Sequence, residues 1–137
     1  MHIRAEALDW LHEAQEDLEV AEDLLKLGRY AHACFLAQQA AEKALKALVL
    51  ATLRRLERTH DLTELHSLVE GRLSLPESAV RRLPILSAYY MVARYPNAGL
   101  RRPSVSINRS QAQEAVEVAR QVVGAVKQAL GAAQEGN

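Results

Sequence analysis

Apolar residues recur at intervals of three and four along most of the chain, which is the period of an amphipathic helix. No stretch alternates apolar and polar residues as a half-buried strand does. Proline at position 84 is expected to kink the fourth helical segment or to split off its first part. The predicted segments are Ala5–Leu27, Tyr30–Leu53, Leu62–Leu73, Pro76–Ala93 and Gln111–Ala133.

Short connections between these segments indicate how the helices pack. Gly28 and Arg29 alone separate the first two helices, so we expect those helices to be antiparallel neighbours. Gly28 also suits the position just after a helix, where a left-handed backbone is common. Capping signals stand at three later helix starts, in the pairs Asp61–Glu64, Ser74–Glu77 and Ser110–Gln113. The sequence predicts an all-α, four-to-five-helix up-and-down bundle, with residues 1–137 as a single domain.

The fourth segment carries two adjacent tyrosines. Because Tyr89 and Tyr90 cannot share one helix face, we expect one in the core and the other towards a groove. The apolar line of this helix is assigned to Val80, Leu83, Leu86, Tyr90 and Ala93.

The segment Gln38–Lys46, with the sequence QQAAEKALK, combines an alanine stripe with a polar line. On a helix, the small residues allow a neighbouring helix to come close. The polar residues allow three interpretations. They form a line that faces a ligand, a solvated helix face, or a set of salt bridges to the acidic first helix. The residues in question are Gln38, Gln39, Glu42, Lys43 and Lys46.

Charge is balanced overall, with 17 basic and 17 acidic residues, but it is unevenly distributed. Residues 1–42 hold nine acids and three bases, a net of −6, whereas residues 43–109 hold twelve bases and five acids, a net of +7. This distribution fits a surface for nucleic acid or phosphate, or pairing of the two segments within or between subunits. Residues 94–109 form a long irregular segment with four arginines, which suggests a functional or mobile loop.

Cysteine and hydropathy restrict the class of protein. The single cysteine, Cys34, excludes an internal disulfide and is expected to be a small core residue. No Cys/His cluster has zinc spacing, no motif identifies a cofactor, and no apolar run has the length of a membrane span. The N-terminus lacks the apolar region of a signal peptide. We expect a cytoplasmic protein without a metal, a cofactor or a membrane association.

Two groups of residues are candidates for binding or catalysis. Arg94, followed by Tyr95 and a proline, can hold a phosphate in a bidentate contact, or it can cap the fourth helix by binding terminal carbonyls. Arg55 and His60 are separated by four residues and could cleave RNA, with His60 as acid/base and Arg55 as the group that stabilises the phosphate charge. The alternative for this pair is a solvated turn at a helix start.

Several motifs follow one another in an order that resembles the HEPN domain family (nucleotide-binding domains of higher eukaryotes and prokaryotes). They are AxxWLxxAxxDLxxA from Ala7, GRY from Gly28, ACF from Ala33, QQAAEKALKAL from Gln38, THDL from Thr59, and Tyr90 followed by RYP from Arg94. The resemblance implies a helical bundle that forms a homodimer. It also implies a partnership with a minimal nucleotidyltransferase, in which the HEPN protein is the substrate-binding subunit or the toxin of a toxin–antitoxin pair.

The resemblance further implies that the protein binds a nucleotide or RNA, at Gln39, Lys43, Lys46, His60, Asp61, Arg94 and Tyr95. Some HEPN toxins are metal-independent ribonucleases with an Arg-x4-6-His motif on a late helix and a polar residue after the arginine. Here Arg55 and His60 match the spacing, but they lie between the second and third helices, Leu56 follows the arginine, and no histidine follows Arg94. A non-catalytic binding protein is therefore the main hypothesis, and an endoribonuclease with Arg55 and His60 is the alternative.

Overall fold

A computed structural model describes residues 3–135 of the chain. Within that range the fold consists of six α-helices and one 3-10 turn, without a β-strand, so the all-α prediction is confirmed. Residues 1–2 and 136–137 of the predicted domain lie outside the described range. The helices are α1 (Ile3–Lys26), α2 (Tyr30–Leu53), α3 (Leu62–Val69), α4 (Glu77–Val92), α5 (Pro103–Ser106) and α6 (Arg109–Glu135).

Helix α2 lies at the centre of the bundle and packs against each of the other five helices. Its alanines let those helices approach closely, because a methyl group is the whole side chain. The core also takes in Leu11 from α1, Leu65 from α3 and Val122 from α6. The alanines of α2 that are fully buried are Ala33, Ala37, Ala40, Ala41, Ala44 and Ala47.

The turn between α1 and α2 has the geometry that its sequence predicts. Gly28 adopts φ +78°, a left-handed conformation that is strained for other residues. Its N–H donates to the carbonyl of Leu25 at 3.1 Å, and the N–H of Arg29 donates to the carbonyl of Leu24 at 2.9 Å. These two bonds form a Schellman motif, which closes α1 and directs the chain back along the bundle.

The third and fourth helices differ from the prediction. The N-cap of α4 is Pro76, without a side-chain hydrogen bond, so the predicted Ser74–Glu77 cap is not formed. Helix α3 ends at Val69, and a 3-10 turn covers Glu70–Arg72, so the predicted extension of the helix to Leu73 is wrong. Helix α4 runs through Pro84 without a break, so the proline does not split off its first part. Pro84 is exposed, so its ring lies on the side of α4 that faces away from the core.

The segment that follows α4 is more ordered than the sequence suggested. It contains the short helix α5, and the buried side chains of Pro103 and Ile107 anchor it to the core. Gly99 has φ +116°, and a Cβ at this position would lie 2.9 Å from Cγ2 of Val92. The close packing of this turn against α4 therefore requires glycine.

Helix α6 begins two residues before its predicted start, and its cap involves different residues. Asn108 Oδ1 accepts from the N–H of Gln111 at 2.9 Å, and Gln111 Oε1 accepts from the N–H of Asn108 at 2.8 Å. This reciprocal pair is a capping box, displaced by two positions from the Ser110–Gln113 pair that the sequence suggested. Asparagine is as good an N-cap as serine, so both pairs fit the pattern and the sequence alone did not separate them.

The two tyrosines of α4 divide between the core and the surface, as expected. Tyr89 is buried and Tyr90 is half-buried. The predicted apolar line was wrong at two positions, since Ala79 and Tyr89 take the buried places assigned to Val80 and Tyr90. Leu83 and Leu86 belong to both the predicted and the observed buried line. Tyr90 fits the same helical spacing and was therefore predicted to be buried, although its ring faces a groove.

Cys34 is a buried core residue, as predicted. Burial raises the pKa of its thiol to about 12, because a thiolate would lose its hydration, and the hydrogen bond with Tyr89 offsets only part of this effect. Burial also raises the pKa of Tyr89. The pair is therefore neutral at physiological pH and acts as packing. No helix among residues 3–135 is long and apolar enough to cross a bilayer.

Candidate functional site

The polar line of α2 is buried in the middle of the protein. Gln38, Glu42 and Lys46 are only 0%, 4% and 5% exposed. Lys46 Nζ donates to Glu42 Oε2 at 2.9 Å, and Gln38 Nε2 donates to Glu42 Oε1 at 3.1 Å. The ammonium of Lys46 also lies 5.9 Å from the ring centroid of Trp10. The line is therefore not a solvated face, and Lys46 is not accessible to a ligand.

His60 completes the set of groups around the Glu42 carboxylate. Its Nδ1 lies 3.0 Å from Oε1 and 3.1 Å from Oε2 of Glu42. Because a carboxylate only accepts hydrogen bonds, a neutral His60 carries its proton on Nδ1 and leaves Nε2 as a basic nitrogen. The His60 side chain is 46% exposed, so the histidine connects a buried charge to the surface.

The backbone around His60 is fixed by the same elements. Gln38 Nε2 donates to the carbonyl of His60 at 3.2 Å. From α4, Ser87 Oγ donates to that carbonyl at 3.5 Å and accepts from the N–H of Leu62 at 3.0 Å. The loop before α3 is therefore held between α2 and α4.

Asp61 caps α3, as its position in the sequence indicated. Its Oδ1 accepts from the N–H of Thr63 at 2.9 Å and from that of Glu64 at 3.3 Å. The Glu64 carboxylate accepts from Thr59 Oγ1 at 3.0 Å and has no bond to the Asp61 backbone, so the capping box is not formed. Asp61 was also a predicted ligand contact, and its exposed side chain borders the cavity described below.

A group of rings and cations extends from His60 across α4. The imidazole stacks on the Tyr90 ring with centroids 3.9 Å apart and an interplanar angle of 15°. The guanidinium of Arg94 lies 4.3 Å from the Tyr90 ring, 4.9 Å from the Phe35 ring and 4.6 Å from the Tyr95 ring. Such cation–π contacts fix the planar guanidinium without neutralising its charge.

Arg94 also has the capping contact that the sequence left open. Its Nε donates to the carbonyl of Tyr90 in the last turn of α4, at 2.7 Å. This bond uses Nε and leaves both terminal nitrogens for another acceptor. Capping and phosphate binding are therefore compatible in one side chain.

An open cavity of about 520 Å³ lies next to this group, between the start of α3 and the exposed face of α4. A volume of this size is typical of a small-molecule site. His60, Asp61 and Tyr90 contribute its polar and aromatic groups, and Pro84 and Met91 contribute apolar surface. We call His60, Tyr90 and Arg94 the stacked triad.

The other predicted residues are placed apart from the stacked triad. Arg55 is exposed and pairs with Glu57 at 2.5 Å, whereas His60 has its own partners. The expected Arg55–His60 pair therefore lacks a shared contact.

Lys43 and Gln39 contact other parts of the protein. Lys43 Nζ lies 2.8 Å from Asp17 Oδ2 on α1, an ion pair without hydrogen-bond alignment. Gln39 Nε2 donates to Gln38 Oε1 at 2.7 Å. The Lys43–Asp17 pair favours the interpretation of this face as pairing with the acidic first helix, whereas the Gln39 contact stays within α2.

Sequence reasoning missed the roles of Phe35, Tyr90 and Ser87 in this site. It also missed the burial of Glu42, although a signal was present. Alanine and leucine lie on both sides of the line of Gln38, Glu42 and Lys46, so a helix packed on both of those sides necessarily buries the line between them.

The protein is a helical bundle in which charged side chains of the central helix form a buried cluster. Known proteins share this fold. A family model for the HEPN domain matches residues 7–129. The chain belongs to the HEPN domain family. None of the curated proteins matches the chain significantly.

Two solved structures are similar over nearly their whole length. TT1696 from Thermus thermophilus is 36% identical, with a TM-score of 0.81, over 90% of this chain and 97% of that chain. ST0689, an archaeal HEPN homologue, is 29% identical, with a TM-score of 0.73, over the same shares of the two chains.

Removing the Glu42 charge should destabilise the fold and release His60. We expect Glu42→Gln to lower the free energy of unfolding by roughly 3 kcal/mol, because it leaves the buried Lys46 ammonium without a counter-charge. The double variant Glu42→Gln/Lys46→Met should recover more than half of that loss. Urea denaturation measures both values.

Glu77→Gln, which breaks the exposed Glu77–Arg81 pair, is the matched control and should change stability by less than about 0.5 kcal/mol. Equal effects of Glu42→Gln and Glu77→Gln would contradict the buried cluster.

Proposed function

We propose that the protein binds the phosphate and base of a nucleotide or polynucleotide at the stacked triad. The observation that carries this proposal is the position of Arg94, whose guanidinium is held among three aromatic rings while its terminal nitrogens stay available. Arginine fixed in this way makes bidentate contacts with phosphate, and the exposed rings of His60 and Tyr95, each 46% exposed, offer stacking surface to a base. The adjacent cavity of about 520 Å³ gives a ligand room beside these groups.

Charge on the surrounding surface supports the proposal. From position 94 to position 113 the chain contains four arginines and no acidic residue. Arg101, Arg102 and Arg109 are exposed on the segment that follows Arg94. A basic surface of this kind attracts polyanions and makes their binding dependent on salt.

Membership of the HEPN family extends the proposal to partners. The protein would act as a homodimer and as the substrate-binding or toxin partner of a minimal nucleotidyltransferase. Exposed apolar side chains on α4, such as Ile85 and Met91 at 56% and 48% exposure, fit a surface that another chain covers. Co-purification with a co-expressed minimal nucleotidyltransferase tests this pairing, and separate elution of the two proteins would argue against it.

Arg94 should dominate nucleotide binding. We expect Arg94→Ala to weaken the binding of a nucleoside monophosphate or a short oligonucleotide at least tenfold, and Arg94→Lys to restore only part of the loss, since lysine lacks the planar fork. Calorimetry at fixed salt measures the affinities.

Arg101→Ala is the matched control for Arg94→Ala. It removes the same charge from the same segment and should weaken binding less than about threefold, because a solvated charge contributes mainly through screened attraction. Equal losses for the two variants would show that binding depends on the overall positive charge of the surface and not on a specific site at Arg94. No binding of any nucleotide by the wild-type protein would overturn the proposal.

A metal-independent endoribonuclease is the second candidate function, and the contact between Glu42 and His60 favours it. A carboxylate that holds a histidine by Nδ1 directs Nε2 at a substrate as a general base. Nε2 would take the proton of a 2′-hydroxyl while that oxygen attacks the adjacent phosphorus. The 5′-oxygen would then leave with a proton from water. Arg94 contacts the same Tyr90 ring as His60 and is better placed than Arg55 to stabilise the phosphate.

A cleavage assay separates the two functions. If the protein is a nuclease, RNA incubated with it in EDTA is cut, and His60→Ala lowers the rate at least a hundredfold, as the loss of a general base does. Arg55→Ala should then have little effect. Intact RNA with the wild-type protein, or equal cutting by His60→Ala, would exclude His60 as a catalyst and leave the binding function.

A further inference from the structure

A small cavity of about 200 Å³ lies between α4 and α6, away from the stacked triad. We call it the α4/α6 cavity. It shares no lining residue with the cavity beside His60. Its residues on α4 recur at intervals of three and four, from Arg82 to Tyr89, so they form a stripe on one face of that helix. Pro84 and Met91, which border the first cavity, belong to another face.

The inner wall of the α4/α6 cavity is apolar. Leu86 and Tyr89 from α4 and Ala115 and Val118 from α6 are all buried, and Ile85 adds an exposed apolar side chain. An apolar cavity of about 150 Å³ is large enough for benzene, whereas drug-sized ligands usually occupy roughly 300 Å³ or more. The α4/α6 cavity therefore suits one aliphatic or aromatic group of the size of an amino-acid side chain.

An ion pair also borders this cavity. Arg82 Nε donates to Glu114 Oε1 at 2.6 Å, and Arg82 Nη1 donates to the carbonyl of Ser78 at 3.1 Å. The side chains of Arg82 and Glu114 are 45% and 46% exposed, so a ligand can reach both. These bonds leave Arg82 Nη2 as a donor and Glu114 Oε2 as an acceptor. A positive and a negative group are therefore available side by side.

A more polar cavity, of about 410 Å³, lies on the other side of the ion pair. Arg82 and Glu114 line both cavities, and the exposed Ser78 and Glu117 are among the other residues of the polar one. The ion pair thus separates an apolar space from a polar one. A ligand with an apolar group at one end and charges at the other fits across this boundary.

We propose that the α4/α6 cavity binds a free α-amino acid with an apolar side chain, such as leucine, isoleucine or phenylalanine. The side chain occupies the cavity, the carboxylate accepts from Arg82, and the ammonium donates to Glu114. A ligand with a single charge would meet a like charge as well as an opposite one, and a like-charge contact is costly. An α-amino acid has both charges on groups attached to one carbon, so it complements both residues.

The apolar group and the charges contribute differently to binding. The side chain of the ligand covers apolar surface of Ile85 and the buried wall behind it, which supplies most of the affinity. The two charged contacts lie at the surface and supply the selectivity for a ligand with both charges. The site shares no residue with the stacked triad, so this inference and the proposed function can fail independently.

The test compares three ligands on the full chain by calorimetry. Leucine has both charges, leucine amide lacks the carboxylate, and N-acetylleucine lacks the ammonium. The wild-type protein should bind leucine about tenfold more tightly than either analogue, since each analogue loses one charged hydrogen bond. Arg82→Gln should abolish the advantage over leucine amide, and Glu114→Gln should abolish the advantage over N-acetylleucine. A merely structural role of these residues would weaken all three ligands alike.

Arg81→Gln is the matched control. It removes the same charge from the adjacent position, but Arg81 pairs with Glu77 and does not line the cavity. This variant should leave the three affinities unchanged. Arg82 and Glu114 form an exposed pair, so their variants should fold, and urea denaturation checks this.

Three results would overturn the amino-acid site. One is the absence of binding of leucine, isoleucine and phenylalanine to the wild-type protein. Another is equal wild-type affinity for leucine and its two analogues, which would show that the cavity takes any apolar group. The third is an equal loss of leucine affinity in Arg81→Gln and Arg82→Gln.

Discussion

The Glu42 carboxylate, buried in the central helix, is the group on which both the core and the site depend. A carboxylate removed from water is costly unless donors replace its hydration. Here Gln38 and Lys46 supply donors from the same helix, and His60 supplies one from the loop before α3. Because His60 belongs to another element, satisfying the carboxylate also fixes that loop. The stability of α2 and the orientation of His60 thus depend on the same buried carboxylate.

The alanine-rich composition of α2 makes this arrangement possible. Helices can pack on all sides of α2, so a line of polar side chains on it is enclosed instead of solvated. His60 then connects the enclosed line to the surface where Tyr90 and Arg94 lie. The fold accordingly brings His60 into contact with the ring of Tyr90, which Arg94 contacts from the next turn, although His60 lies 30 residues before Tyr90 in the sequence. Such a row of stacking and charged groups is suited to nucleotides.

The sequence predicted the helices well because their period, their glycine turn and the Asp61 cap are local signals. It predicted the site less well, because the site depends on which faces of the helices meet. Arg94 was identified from its position at a helix end. Tyr90 was assigned to the core, because an aromatic residue at the three-and-four spacing of a helix fits the pattern of a buried residue. Lys43 and Lys46 were grouped as ligand contacts, although one pairs with Asp17 and the other with Glu42. Burial of a charged residue depends on packing against distant segments, which a single sequence does not specify.

The most direct test of the central claim is the tautomeric state of His60, observed by nitrogen-15 NMR at a pH where the imidazole is neutral. A carboxylate that accepts from Nδ1 requires the proton on Nδ1, with Nε2 unprotonated. We expect this tautomer for the wild-type protein and its loss in Glu42→Leu, in which the acceptor is gone. A neutral His60 that carries its proton on Nε2 in the wild-type protein would contradict the buried Glu42–His60 contact, because Nδ1 could not then donate to the carboxylate.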